Sequence, residues 1–230
     1  MAQYIKKKNS CKSLRDLPAQ VDANPETAAR SRARYFNSGN AFMVGATPIP
    51  DIVFEEESRK AFADGTPTSL IPCDISSQLG CNYPATSPLI LVYYARINYG
   101  EVLPTLFNAS GALAYVISGS GETICQDEVI KWGEGDVFLM PGGKKQTHRA
   151  FKEPVILWIA TNETQLAFEN SSIKDGTLVS GIVHYPSQEI DRQFDLIYSI
   201  DADQDVSGSA VIFSSCDQEL NKNILPTLTA

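Results

Sequence analysis

The sequence predicts an all-β domain, an antiparallel sandwich or small barrel, with helical and extended arms at both ends. Two observations carry this. From Pro88 the chain falls into short runs of β-branched and aromatic residues, PLILVYYARINY, LAYVIS, ETIC, DVFLM and VILWIAT. Gly-containing turns such as SGSG and WGEG separate these runs at the close spacing that antiparallel neighbours need. With 230 residues, 43% of them hydrophobic, the chain can bury one sizeable core. The expected organisation is an N-terminal arm over 1–85, the β domain over 86–165 and a C-terminal extension over 166–230.

In the arm, Pro, Gly, Ser and Asn are frequent and no strict period runs through. Asn24 as N-cap with Pro25 at the first helical position predicts a helix through PETAARSRARYF, with Arg30, Arg32 and Arg34 toward its end, where the dipole favours cations. A second helix is predicted from near Asp51 through IVFEEESRKAFA. There Glu55, Glu56 and Glu57 precede Arg59 and Lys60, and Gly65 can supply a left-handed cap. Beyond Thr161, QFDLIYS and SAVIFS are strand candidates. Trp132 and Trp158 read as packing residues and Cys125 as a small core hydrophobe.

A net charge of −8 and a pI of about 4.8 oppose attraction to phosphate backbones and anionic lipid, so neither nucleic acid nor membrane is expected as a partner. Lys6, Lys7 and Lys8 are followed by no apolar targeting segment, and the chain reads as soluble and cytoplasmic. Five cysteines, without a CxxC pair, read as free thiols. Sequons begin at Asn108, Asn162 and Asn170, and carry little weight without a secretory signal.

The stretch from Gly100 to Ala150 adds motif information. Gly100 and Gly119, then Gly135, Pro141 and Gly143, stand at the spacing of the two motifs of the cupin superfamily, which the chain resembles. The resemblance implies a single cupin-type jelly-roll barrel. The order PATSPLILVYYARINYGE, ALAYVISGSG, GDVFLMP is similar to the first half of two-barrel, gentisate-type ring-cleaving dioxygenases. A Pro226-Thr227-Leu228 segment also resembles the opening of their second barrel. In those relatives three histidines hold Fe(II). Here the four ligand positions are Leu106, Asn108, Ala112 and Gln146, and the whole chain holds only His148 and His184. The resemblance therefore implies a scaffold with its metal ligands substituted, no metal and no cofactor. It also implies a homodimer paired through an outer sheet face.

If Leu106 and Asn108 point inward, as the ligand positions would, Ala112, Ala114 and Val116 line the interior and Tyr115 faces out. His148 shares a strand face with Gln146 and is the candidate acid/base residue, matching a proton-moving histidine near the substrate in the relatives. Asn108 and Gln146 are candidates for binding a ligand's oxygens, or for bonding each other and plugging the site. Arg96, in an apolar strand, seeks a carboxylate, of a substrate or of Glu101 or Glu122. Lys144, Lys145 and Arg149 crowd the second motif, as an anion-attracting mouth or as a solvated turn. His184 reads as structural.

Two functions of different class follow. One is a metal-independent isomerase, cyclase or lyase acting on an organic acid or aromatic compound held in the barrel. The other is a non-catalytic binding or structural cupin. An iron dioxygenase of the gentisate type is disfavoured, because two histidines cannot make a three-histidine centre.

Overall fold

The structure, a computed structural model, describes residues 12–41, 49–173, 181–201, 212–214 and 227–229. The chain divides into two compact units, Met1–Pro48 and Ile49–Ala230. In the first, α1 (Ala28–Arg32) is a short helix. Its N-cap is Thr27, whose Oγ1 accepts from Arg30 N at 3.2 Å. The helix is shorter than the sequence predicts, because the Thr27 cap displaces the expected Asn24 start. Arg30 reaches back to Asp22 and Glu26, and a single bridge pairs Gln20 with Tyr35.

The second unit begins with α2 (Glu55–Phe62), four residues past the predicted start. The β framework follows as β1 (Ser69–Pro72), β2 (Leu91–Ile97), β3 (Val102–Thr105), β4 (Gly111–Ser118), β5 (Gly121–Cys125), β6 (Glu128–Trp132), β7 (Val137–Pro141), β8 (Gln146–Ala150) and β9 (Val155–Thr161). Short helices α3 (Ser76–Leu79) and α4 (Glu163–Phe168) interrupt and follow it, and β10 (Val183–Tyr185) rejoins it. The strands form a six-stranded sheet, β1-β2-β9-β4-β7-β10, and a four-stranded sheet, β3-β8-β5-β6, antiparallel throughout. Among the described residues no ladder joins the two sheets, so the expected barrel is two facing sheets with open edges. The six-stranded sheet takes in β1, upstream of residue 86 where the β domain was expected to start.

Alternation explains how the sheets close on each other. On β4, Ala112, Ala114 and Val116 are buried while Tyr115 is 41% exposed, as their period-two placement predicts. With Ala95, Ile97, Phe138, Met140, Leu157 and Ile159 they form one core between the sheets. On the outer face of the larger sheet α2 lies over a second, smaller cluster of Ala61, Ile71 and Ile156. Pro104, which offers no N–H, sits on the edge strand β3.

After β10 the chain forms α5 (Ser187–Asp201), and Ile212–Ser214 (β11) pairs with Thr227–Thr229 (β12). QFDLIYS is therefore helix, not strand: Ile190, Phe194 and Ile197 recur at helical spacing once the window is widened. Of SAVIFS, the last three residues are β11 and the rest lie outside the described residues, as do Cys11, Cys216 and Pro226. Cys73, Cys81 and Cys125 are free thiols. Among the described residues no helix is long and apolar enough to cross a membrane.

One close approach fixes the end of the sandwich. A Cβ on Gly142 would lie 1.5 Å from the Ala109 carbonyl oxygen, and Gly142 N and Gly143 N donate to Ser110 O and Phe107 O. Gly142→Ala is expected to cost about 2 kcal/mol or more in urea unfolding. Gly133→Ala, where a Cβ meets nothing within 4 Å, should stay within about 0.5 kcal/mol.

Candidate functional site

Three neighbouring strands of the smaller sheet place one group of polar side chains inside the sandwich. The register pairs Thr105 with Gln146 and Leu103 with His148 across β3 and β8, and Thr123 with His148 across β8 and β5. Thr105, Thr123, Gln146 and His148 therefore point to the same interior face. All four are buried, His148 at 0% exposure and Gln146 at 1%. Trp132 joins them from β6. Opposite it, Gly121 leaves space, since a Cβ there would lie 2.4 Å from the indole ring.

Their hydrogen bonds form one chain. Trp132 Nε1 donates to Thr123 Oγ1 at 2.8 Å, and Thr123 Oγ1 lies 2.8 Å from His148 Nδ1. His148 Nε2 lies 2.9 Å from Thr105 Oγ1, which donates to Gln146 Oε1 at 3.0 Å. Gln146 Nε2 then donates to Pro141 O at 2.8 Å. Counting hydrogens assigns the tautomer. Thr105 has one hydroxyl hydrogen and Gln146 Oε1 takes it, so His148 Nε2 must carry a proton to donate to Thr105. His148 Nδ1 is then bare and accepts the Thr123 hydroxyl, which accepts the indole in turn. Every bond runs in one direction, from Trp132 to Pro141 O, with a neutral imidazole in the middle. Burial pushes the His148 pKa down to about 4.

Gln146 and His148 are thus brought together as their spacing predicts, and the other proposed site residues are not. Asn108 is exposed, its side chain accepting from Ile173 N and donating to Ser171 O. Leu106 is 59% exposed. The inward set is Leu103, Thr105, Phe107 and Ala109, so the expectation that Leu106 and Asn108 face inward is wrong by one residue. The reason is the parity set by the pairing of Thr105 with Gln146, which motif spacing does not carry.

Arg96 is buried at 5% exposure, but between Ala95 and Ile97, which face the core, it points to the opposite face of the larger sheet. Its guanidinium donates to Ala61 O at 2.7 Å and to Asn98 Oδ1 at 2.9 Å. Its observed partners are neutral oxygens rather than Glu101 or Glu122, and Ala61 O lies in the last turn of α2, where the dipole favours a cation. Arg149 points outward and pairs with Glu122 at 3.7 Å, and Lys145 is exposed.

The sequence reading missed Thr105, Thr123 and Trp132 as partners of His148. It also missed a clamp at the end of the sandwich. Glu163 accepts from Tyr93 Oη at 2.8 Å, Thr161 Oγ1 at 3.1 Å and Asn108 N at 3.2 Å. Burial first, then the Glu163 carboxylate, raises the Tyr93 pKa and keeps the phenol protonated. His184 is held by Asp136, Nε2 to Oδ2 at 2.9 Å, and Asp136 also accepts from Gly133 N and Ser187 N. Despite partial burial, these hydrogen bonds keep the Asp136 carboxyl below the usual carboxylate range. Among the described residues no group of three or more His, Cys, Asp or Glu side chains is placed to hold a metal ion.

This architecture is a cupin-type jelly roll. A single-substitution variant of the salicylate 1,2-dioxygenase of Pseudoaminobacter salicylatoxidans has a similar fold, with a TM-score of 0.50 and 14% identity over 63% of this chain and 52% of that one. Among curated proteins, the chain is similar to the 5-aminosalicylate 1,2-dioxygenase of a Comamonas species, 26% identical over 106 residues. That stretch is 39% of this chain and only 28% of the relative. No family model matches the sequence.

The buried imidazole makes stability depend on pH. The unfolded chain takes up a proton on His148 near pH 6.5, whereas the folded chain resists until about pH 4. Between those values the unfolded state binds more protons, so stability is full above about 6.5 and falls with acidification. The stability gap between the protein and His148→Gln is expected to shrink by about 2 kcal/mol between pH 7 and pH 5, measured by urea unfolding. A gap independent of pH would mean that His148 is not held neutral.

Proposed function

We propose that this cupin fold serves as a metal-independent structural module, without the iron chemistry of the ring-cleaving dioxygenases it resembles. The observation that supports this is the hydrogen-bond state of His148. It is the interior imidazole of the β framework, and both of its nitrogens are engaged by threonine hydroxyls. An iron ligand needs a free ring nitrogen directed at the ion, together with further imidazole or carboxylate donors. The positions implied by the resemblance offer Leu106, Asn108, Ala112 and Gln146, of which only Ala112 and Gln146 face inward. Gln146 already uses its amide on Thr105 and Pro141. These residues do not fit iron.

The reading as an isomerase, cyclase or lyase requires His148 to meet a substrate. Its ring is fully buried and its basicity is depressed by burial, both of which favour the structural reading. Arg96 and Asn108 lie away from that interior, so they do not assemble a substrate site with it. A homodimer remains part of the proposal, and the relatives' aromatic substrates are the compounds to test first.

The test is metal content and oxygen uptake. Protein produced with added iron and dialysed is expected to retain far less than one Fe, Mn, Ni or Zn per chain. It should also consume no oxygen above the blank with salicylate, 5-aminosalicylate or gentisate. Stoichiometric metal together with ring cleavage would overturn the proposal.

A further inference from the structure

One side of the sandwich is closed by the chain that follows it. β6 belongs to the smaller sheet and β7 to the larger, and the turn over 133–136 joins them at one end. Glu128, the first residue of β6, stands at the other. β10 runs along this side on β7, with Val183 opposite Leu139 and His184 opposite Phe138. His184 and Ile182 therefore share the inner face with Phe138, and Ile182 packs on the core. Glu128 accepts from Ile182 N at 2.7 Å, which ties β10 to the smaller sheet as well. At the turn, Asp136 accepts from Ser187 N at 2.8 Å and lies 2.9 Å from His184 Nε2.

This attachment is more polar than apolar. No residue from Gly181 to Ser199 is buried, and on α5 Phe194, Leu196 and Tyr198 are exposed. The ladder to β7 is three residues long. On β9, by contrast, Val155, Leu157 and Ile159 are completely buried, and the strand pairs on both sides. A segment with few buried apolar groups and a short ladder opens at a lower free energy than the framework it lies on. Next to β10 is Phe138, which stacks on Trp132 with ring centroids 5.9 Å apart. Trp132 is the first donor of the interior hydrogen-bond chain.

We propose that the segment over 181–201 is a releasable strap. It opens as one unit while both sheets stay folded, and its opening uncovers the Trp132 end of the interior from the side. Two carboxylates from opposite ends of the β6–β7 side, Glu128 and Asp136, latch it through backbone N–H groups and His184. Because β10 is short and links the two latches, loosening either one loosens both. The inference concerns access to the interior, and stands whether that interior is structural or catalytic.

Hydrogen exchange of the full chain, followed by NMR at constant pH, tests it. The Ile182 and Ser187 amides are expected to be at least about 100-fold less protected than the amides of β4 and β9, with a weaker dependence on denaturant. Glu128→Gln replaces a charged acceptor by a neutral one, and should speed exchange at Ser187 as well as at Ile182, each by about threefold or more. Asp136→Asn should likewise speed Ile182, which it does not touch. The Trp132 Nε1–H should accelerate with them in both variants, while β4 and β9 stay as protected as in the parent. Three results would each overturn the inference. One is Ile182 and Ser187 exchanging only through global unfolding, which makes β10 part of the framework. Another is acceleration confined to the amide beside the substituted side chain, which means two separate contacts and no strap. The third is a Trp132 Nε1–H that stays protected while both amides accelerate, which removes the side entrance.

Discussion

The hydrogen-bond chain from Trp132 to Pro141 O is the constraint on which the interior of this fold depends. Each member has a fixed number of hydrogens and lone pairs, and only one assignment satisfies all of them. A buried donor or acceptor without a partner costs about 1–3 kcal/mol, so alternative tautomers are excluded by what they would leave unpaired. In the low-dielectric space between two sheets, bonds that all run in one direction also polarise and strengthen one another. A polar group in the middle of an apolar core then specifies a single arrangement of strands instead of weakening it.

The arrangement depends on features far apart in the sequence. Thr105, Thr123 and His148 meet only if β3, β8 and β5 pair in their observed register, and a slip of one residue would turn His148 to the outer face. Trp132 reaches Thr123 only because Gly121 has no side chain to block the indole. At the end of the sandwich, Gly142 lets the turn after β7 approach Ala109. Glu163 ties Tyr93 and Asn108 N to the end of β9. Both ends of the polar chain are thereby held, at Trp132 by packing on Phe138 and at Pro141 by the turn that follows it.

The β framework was legible because its signals are local. Runs of β-branched residues bounded by glycine placed the central strands, and period-two counting on β4 put Ala112, Ala114 and Val116 inside and Tyr115 outside. The pairing of Gln146 with His148 on one face followed from the same counting. The inward set on the neighbouring strand did not, because motif spacing fixes positions along a strand and not the face they occupy. Arg96 was misplaced for a related reason: an arginine in an apolar strand announces burial but not which face of the sheet buries it. Thr105 and Thr123 carry no signal as isolated residues, and their role arises only from cross-strand register. QFDLIYS was misread because a seven-residue window favours the strand reading, while the helical spacing of Ile190, Phe194 and Ile197 needs the longer span.

Nitrogen NMR of the two imidazole side chains tests the central claim most directly, since His148 and His184 are the only histidines. For His148 the account predicts one protonated Nε2 and one bare Nδ1, unchanged from pH 8 down to pH 5. A mixture of tautomers, or titration of the His148 ring between pH 6 and 7, would contradict it.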